Sequence, residues 1–213
     1  MEALYPDSKI DVIEIDPGVT QTAYALLGLD PDTAIRSFNE DARLFLERTP
    51  QQRYDLIMGD AFNDFSVPYH LTTVEFNRRV QAWLDEGGLY LVNIIDGPRA
   101  DFVRAYVHTL RQTFPYVYLA PTQRAWRETP RTTFVVIASD SPLDRQQLTA
   151  STAGSPLDLD ELILSGEELD ALLAEGRMVT LTDRYAPVDQ MLAPAFRNEV
   201  PAGPDANVSE SAN

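Results

Sequence analysis

The sequence predicts an α/β fold built on a mostly parallel sheet, and three observations lead to this prediction. Short β-branched runs alternate with segments of helical apolar spacing over residues 9–138, as in units where a helix connects two parallel strands. The runs around Leu56 and Leu91 are apolar throughout, which is typical of strands buried on both faces. The chain contains no cysteine, so disulfide-stapled folds and thiolate sites are excluded.

The predicted elements follow one another in a regular order. Predicted strands cover residues 9–15, 34–38, 54–58, 89–95, 116–119 and 132–138. Predicted helices cover residues 19–27, 41–48 and 99–113, and a further one runs from a cap at Thr72 or Thr73 to Asp85. We expect the Gly87-Gly88 pair to end that helix before the next strand begins.

Composition divides the chain into four segments. Residues 1–140 form the predicted α/β domain, and residues 141–165, rich in Ser, Thr, Asp and Pro, a surface connection. Residues 166–197 are predicted to be a helical extension that packs on the domain. Residues 198–213 have almost no large apolar side chain, so we expect a disordered tail there.

Charge and hydropathy limit the partners that we expect. The chain has 17 basic and 33 acidic residues, a formal net charge of −16. Such a field repels nucleic acid and anionic lipid and attracts cations such as polyamines. No window approaches the roughly 18 apolar residues that span a bilayer, and the N-terminus lacks the pattern of a secretory signal. The expectation is a cytoplasmic chain without nucleic-acid or membrane partners.

Acidic residues follow three successive predicted strands: Glu14 and Asp16, then Glu40 and Asp41, then Asp60. Ligands of open α/β sheets bind at the carboxyl ends of the strands, where a carboxylate can accept both hydroxyls of a ribose. Asp and Glu are also common at such turns as helix caps. Both interpretations stay open for each acid, although three successive occurrences favour a ligand site.

Five segments of the chain carry a resemblance to a known family: VIEIDPGV, NEDARLFL, YDLIMGDAFNDFSVPYHLTTVEF, LDEGGLYLVNI and TLTDRYAPVDQMLAP. Together they resemble the spermidine synthase (polyamine aminopropyltransferase) family, in its spermidine-synthase-like branch, over residues 9–138 and 180–197. The resemblance implies a Rossmann-like, methyltransferase-type fold. It further implies aminopropyl transfer from decarboxylated S-adenosylmethionine to a polyamine substrate, without a metal. A homodimer is compatible with it, but the oligomeric state stays open.

The resemblance also implies roles for individual residues. Glu14 matches the acid that binds the ribose, Asp41 and Ala42 the pair that contacts adenine, and Pro68 a residue lining the adenine pocket. Since Ala42 would contact adenine through its backbone, its identity carries no information.

Two acids after the third predicted strand are assigned to the acceptor amine. Asp60 matches the proton-accepting aspartate and also binds the substrate, while Asp64, or alternatively Asn63, would hold the amine. The family's loop commonly reads Asp-Ser-x-Asp-Pro, whereas the second acid here comes one residue later. His70, in the same loop, could be a proton shuttle, but we favour a structural or solvent-exposed role for it.

The larger departure from the family concerns the start of the fold. Folds of this type begin with a strand and a glycine-rich loop that approaches the ligand, but no glycine precedes Gly18 and no strand is predicted before Lys9. The small β-rich N-terminal domain of spermidine synthases is missing as well. Either translation starts upstream of Met1 or the chain is a truncated piece. We expect a gap, or direct pairing, between the strands at Val12 and Leu56.

Two other functions stay open. A methyltransferase that uses S-adenosylmethionine shares strand-end acids like Glu14 and Asp41, so the loop after Asp60 is the discriminating feature. A non-catalytic interaction module is the second alternative, and the missing glycine-rich loop favours it.

Overall fold

A computed structural model describes residue 2 and residues 5–61, 67–151 and 159–196. The strands are β1 (Asp11–Ile13), β2 (Arg36–Phe38), β3 (Tyr54–Gly59), β4 (Leu84–Asp96), β5 (Tyr116–Pro121) and β6 (Thr132–Ser139). The helices are α1 (Pro17–Ala25), α2 (Ala42–Leu46), α3 (Val74–Trp83), α4 (Asp101–Leu110), α5 (Arg145–Ser151), α6 (Leu159–Leu162), α7 (Gly166–Ala174) and α8 (Val188–Phe196).

The strands form two separate sheets. β1 and β2 are parallel and make a two-stranded sheet, whereas the other four strands have the order β3-β4-β6-β5. β3 is parallel to β4, and β6 is antiparallel to both of its neighbours, β4 and β5. Three of the four strands therefore run in one direction, which confirms the predicted α/β class with a mostly parallel sheet.

In the described part of the chain, β1 pairs only with β2, and β3 pairs only with β4. This is the gap that the sequence predicted between the strands at Val12 and Leu56. The prediction that the strand at Leu56 is buried on both faces is wrong, because β3 is an edge strand whose Met58 is 65% exposed. The Tyr54 hydroxyl bridges the two sheets by donating to Asp11 Oδ2 at 2.5 Å.

The Gly87-Gly88 pair lies inside β4, not between a helix and a strand. β4 begins at Leu84, which pairs with Tyr54, and the register then shifts between Tyr54 and Leu56. Gly87 has φ +73°, and a Cβ on Gly88 would lie 3.0 Å from the carbonyl oxygen of Tyr54. The predicted helix end at residue 85 is therefore two residues late, because Leu84 already pairs with β3 and the glycines lie in the bulge before pairing resumes at Leu89.

Local capping explains where the best-packed helices begin. Thr73 Oγ1 accepts from the Phe76 N–H at 3.2 Å at the start of α3, as the sequence predicted for one of two threonines. Ser165 and Glu168 form a reciprocal capping box at the start of α7. Such caps satisfy N–H groups that the helix itself leaves unpaired.

The core lies between β4, β6 and the helices that cover them. Its central side chains are fully buried: Val80, Val92, Ile94, Phe102, Tyr106, Leu110, Leu119, Phe134 and Val136. Leu169 and Leu172 of α7 and Leu192 of α8 belong to the same cluster. Two short helices, α5 and α6, lie in the segment predicted to be a surface connection. The predicted disordered tail lies outside the described residues.

Candidate functional site

Glu14 lies immediately after β1 and is half-buried. Its Oε1 accepts the Asp16 N–H at 2.8 Å, and its carbonyl oxygen accepts from Asn39 Nδ2 at 3.2 Å. Asp16 has a different task, since its carboxylate caps α1 by accepting the Gly18 N–H at 2.7 Å. The two acids after β1 therefore have different roles: Asp16 caps a helix, whereas Glu14 has no hydrogen-bond partner at Oε2 among the described residues.

Asp41 is the N-cap of α2 and directly precedes the half-buried Ala42. Its Oδ1 accepts the N–H groups of Arg43 at 2.8 Å and Leu44 at 3.2 Å, and its Oδ2 lies 3.1 Å from His70 Nε2. Partial burial raises the pKa of this carboxyl, but the backbone N–H groups and His70 outweigh burial and leave the pKa below its ordinary value. Asp41 is thus an ionised cap held at both oxygens.

The contact with His70 brings a second part of the chain to α2. His70 lies in the helical turn Tyr69–Leu71, directly after the half-buried Pro68. The His70–Asp41 contact therefore joins the turn that follows Pro68 to the start of α2, where Asp41 and Ala42 lie. The His70 ring lies within hydrogen-bond distance of the Asp41 carboxylate, and its structural interpretation stays a prediction.

Asp60 comes directly after β3, as predicted, but its side chain is exposed. Asp60 Oδ1 accepts from Asn93 Nδ2 at 2.9 Å. Asn93 lies on β4, the strand that pairs with β3, so the neighbouring strand orients the carboxylate. Asp64 and its alternative Asn63 lie outside the described residues.

Sequence reasoning missed three polar residues near these acids. Asn93 is embedded in an apolar strand, and that interruption is the signal by which it could have been found. Arg43 and Asp183 form a bidentate ion pair beside Asp41. They are 140 residues apart in the sequence, and no local pattern indicates that they meet.

Asp96 is a further missed acid, at the end of β4 and only 2% exposed. Its oxygens accept the N–H groups of Gly97 at 2.7 Å, Phe102 at 3.0 Å and Val103 at 3.0 Å. Burial raises the pKa of this carboxyl to about 6, although the three N–H donors oppose the shift. Because Oδ1 binds the Gly97 N–H and Oδ2 holds the start of α4, Asp96 is a structural residue.

The described residues contain neither a metal-binding cluster nor a membrane-spanning helix. No group of three or more His, Asp or Glu side chains in these segments is arranged to hold a metal ion. Among the same residues, no helix has the length and apolar character needed to cross a bilayer.

Sequence comparisons connect the chain with polyamine aminopropyltransferases. A polyamine aminopropyltransferase of Vibrio vulnificus is 38% identical over 92 residues, which are 42% of this chain and 31% of the relative. A probable polyamine aminopropyl transferase of Bifidobacterium longum is 30% identical over 94 residues, 44% of this chain and 20% of the relative. An N-terminal histidine N-methyltransferase of Emericella nidulans is 32% identical over 108 residues, 49% of this chain and 19% of the relative. The chain thus spans a third or less of each relative's length, and no family model matches it.

Solved structures share the fold. A probable spermidine synthase from Corynebacterium glutamicum superposes with a TM-score of 0.69 at 19% identity, over 84% of this chain and 66% of that one. Human methyltransferase-like protein 13, solved in complex with SAH, gives a TM-score of 0.56 at 19% identity, over 87% and 79% of the two chains. A spermidine synthase in complex with the transition-state analogue AdoDATO gives a TM-score of 0.53 at 16% identity, over 87% of this chain and 59% of that one. These findings confirm the resemblance to the spermidine synthase family and the methyltransferase-like fold.

Proposed function

We propose that this chain is an aminopropyltransferase-type domain that transfers an aminopropyl group from decarboxylated S-adenosylmethionine to an amine. The observation that carries the proposal is the state of the carboxylates after β1 and β3. Among the described residues, Glu14 accepts from a backbone N–H and Asp60 from the amide of Asn93, and neither is paired with a cation. Carboxylates without a cationic partner at the carboxyl ends of strands suit a ribose diol and a cationic amine.

The proposed reaction forms one bond and breaks another. The amine nitrogen attacks the propyl carbon next to the sulfonium, the new C–N bond forms, and the C–S bond breaks. The sulfur keeps the bonding electron pair, so methylthioadenosine leaves as a neutral thioether. The attacking nitrogen must give up a proton, because an alkyl ammonium has no free electron pair.

Asp60 is assigned the role of proton acceptor. Its Oδ1 is held by Asn93, which leaves Oδ2 for the proton. Exclusion of water from a closed site raises the pKa of a carboxylic acid and lowers that of an ammonium, so proton transfer between them becomes easier. Glu14 is assigned to the ribose, and Asp41, Ala42 and Pro68 to adenine. Asp64, or alternatively Asn63, is assigned to holding the substrate amine.

The test is release of methylthioadenosine from decarboxylated S-adenosylmethionine in the presence of a diamine. Asp60→Asn is expected to keep nucleoside binding, while its turnover rate falls on the order of 10²–10⁴-fold. The matched control is Asp55→Asn, because Asp55 is an exposed acid near the other end of the same strand. Near-normal turnover of the Asp60 variant at neutral pH would contradict the assignment.

A methyltransferase is the second candidate, favoured by the similarity to the histidine N-methyltransferase and by the SAH-bound neighbour. S-adenosylmethionine carries an α-carboxylate, which acids such as Glu14 and Asp60 would repel. We therefore expect methylthioadenosine to raise the melting temperature more than S-adenosylhomocysteine does. A larger shift with S-adenosylhomocysteine would favour the methyltransferase, and no shift with either would favour a non-catalytic module.

A further inference from the structure

Arg43 connects the cap of α2 with a segment near the other end of the described chain. Its guanidinium forms a bidentate pair with the carboxylate of Asp183, in which Nη1 donates to Oδ1 at 2.9 Å and Nη2 donates to Oδ2. The Arg43 side chain is 14% exposed and that of Asp183 is 39% exposed. Two parallel hydrogen bonds to a carboxylate give such a pair a defined geometry as well as electrostatic attraction, and only its arginine is largely buried.

The same guanidinium also reaches the loop that contains His70. Arg43 Nη1 donates to the carbonyl oxygen of His70 at 2.8 Å, while the backbone N–H of Arg43 donates to Asp41 Oδ1. The His70 ring contacts the other oxygen of Asp41. Arg43 therefore holds the Asp41 carboxylate directly through its backbone and indirectly through His70.

Asp183 also binds two residues at the start of α3. Its Oδ1 accepts from Thr73 Oγ1 at 2.7 Å, and its backbone N–H donates to Glu75 Oε2 at 3.1 Å. The preceding Leu181 is fully buried, and its backbone binds α3 and α4 through Val74 and Thr109. This segment therefore stays attached to the helices when the Asp183 carboxylate is altered.

We propose that Asp183 is a positioning residue for the nucleobase end of the site. Through the side chain of Arg43, it fixes the turn that presents Asp41 and the loop that presents Pro68 and His70. The link to a nucleobase rests on the function proposed above, but the link between Asp183 and Asp41 rests on these contacts alone. Asp183, which lies outside the predicted α/β domain, thereby orients Asp41 within that domain.

The first experiment needs no ligand. Amide hydrogen exchange is measured at Arg43 and Leu44, whose N–H groups bind Asp41, in the full chain and in Asp183→Asn. Loss of a charged hydrogen-bond partner is expected to speed exchange at both amides on the order of tenfold. Asp183→Glu, which keeps the carboxylate, is expected to restore part of the protection. Arg43→Gln removes the same pair from the other side and is expected to have the same effect.

The matched control is Asp170→Asn. Asp170 lies on α7 and is paired at 2.9 Å with Arg111, so it too joins an acid of the later segment to an arginine of the α/β domain. That variant is expected to leave exchange at Arg43 and Leu44 unchanged. Equal exchange at these amides in the Asp183→Asn and Asp170→Asn variants would overturn the proposal.

The second experiment compares methylthioadenosine with methylthioinosine, which lacks the exocyclic amine that can donate a hydrogen bond to a carboxylate. If Asp183 positions Asp41, Asp183→Asn lowers the preference for methylthioadenosine by about tenfold. An equal loss of affinity for both nucleosides would indicate general destabilisation and contradict positioning. If the parent chain binds neither nucleoside, the proposed function fails, while the exchange experiment still decides the positioning role.

Discussion

In the sheet formed by β3 to β6, the central strands and their helices bury more than twenty apolar side chains, whereas β1, α1 and β2 bury none. Phe102, Tyr106 and Phe134 are fully enclosed, while α1 has no buried residue. Val19, Leu26 and Leu27 of that first unit are 53%, 79% and 76% exposed. Two acids of the proposed site are divided between these regions, since Glu14 belongs to the first and Asp60 borders the second.

This difference indicates how each region is held in place. The larger sheet is stabilised by burial of apolar surface, the dominant favourable term in folding. The small sheet has no buried apolar side chain of its own, but it makes polar contacts at its edge and a ring contact between Phe38 and Phe45. The Asp11 side chain is 2% exposed and accepts from Arg36, Tyr54 and Gln52. Its burial raises the pKa of the carboxyl, but these donors outweigh burial and leave the pKa below its ordinary value.

Phe102→Ala should have the largest effect on the free energy of unfolding. The ring is fully buried on α4 and stacks on Tyr106 at a centroid distance of 5.9 Å. Its removal leaves a cavity and is expected to cost about 3–5 kcal/mol, measured by urea denaturation. A cost below about 1 kcal/mol would mean that the larger sheet is no better packed than the small one.

Asp96→Asn should have the next largest effect and should change the pH dependence of stability. The asparagine amide places an N–H donor opposite backbone N–H groups. We expect this to lower the free energy of unfolding by about 1–3 kcal/mol. Because the folded-state pKa of Asp96 is raised to about 6, its contribution is complete below the unfolded pKa and is lost as the pH rises through 6. The difference in stability between parent and variant should therefore narrow by about 1–2 kcal/mol from pH 5 to pH 7.

Urea denaturation at both pH values measures this change, with the exposed Asp55→Asn as control. A parent-to-variant difference that stays constant or widens with pH would contradict the raised pKa.

Tyr54→Phe tests the polar contact between the two sheets. The variant removes the hydroxyl that donates to Asp11 but keeps the ring stacked on Trp83 at 6.1 Å. We expect the free energy of unfolding to fall by about 1 kcal/mol and amide exchange in β1 and β2 to become faster. Tyr116→Phe is the control, since Tyr116 is 38% exposed at the start of β5. An unchanged exchange rate in β1 would show that this hydroxyl does not hold the small sheet.

Leu26→Ser should have the smallest effect. Leu26 follows α1 and is 79% exposed, so its substitution is expected to change the free energy of unfolding by no more than about 0.5 kcal/mol. A loss above about 1 kcal/mol would show that α1 is covered in solution and would remove the contrast between the two regions.

Short-range patterns in the sequence determined much of this structure. The order of strands and helices, the Thr73 cap and the acids after β1 and β3 were all predictable, because strand alternation, capping and turns depend on a few neighbouring residues. The start of α1 is a partial exception. The helix begins at Pro17 rather than at the predicted residue 19, since Asp16 caps it and proline is well suited to the first helical position.

Only the tertiary structure decided which strands have neighbours and which distant side chains meet. The apolar run of β3 predicted burial on both faces, yet Met58 is exposed because a single described strand pairs with β3. The Arg43–Asp183 pair joins residues 140 positions apart, and the Asn93–Asp60 contact depends on the pairing of β4 with β3. Such contacts follow from the packing of elements against each other, and local propensity does not encode that packing.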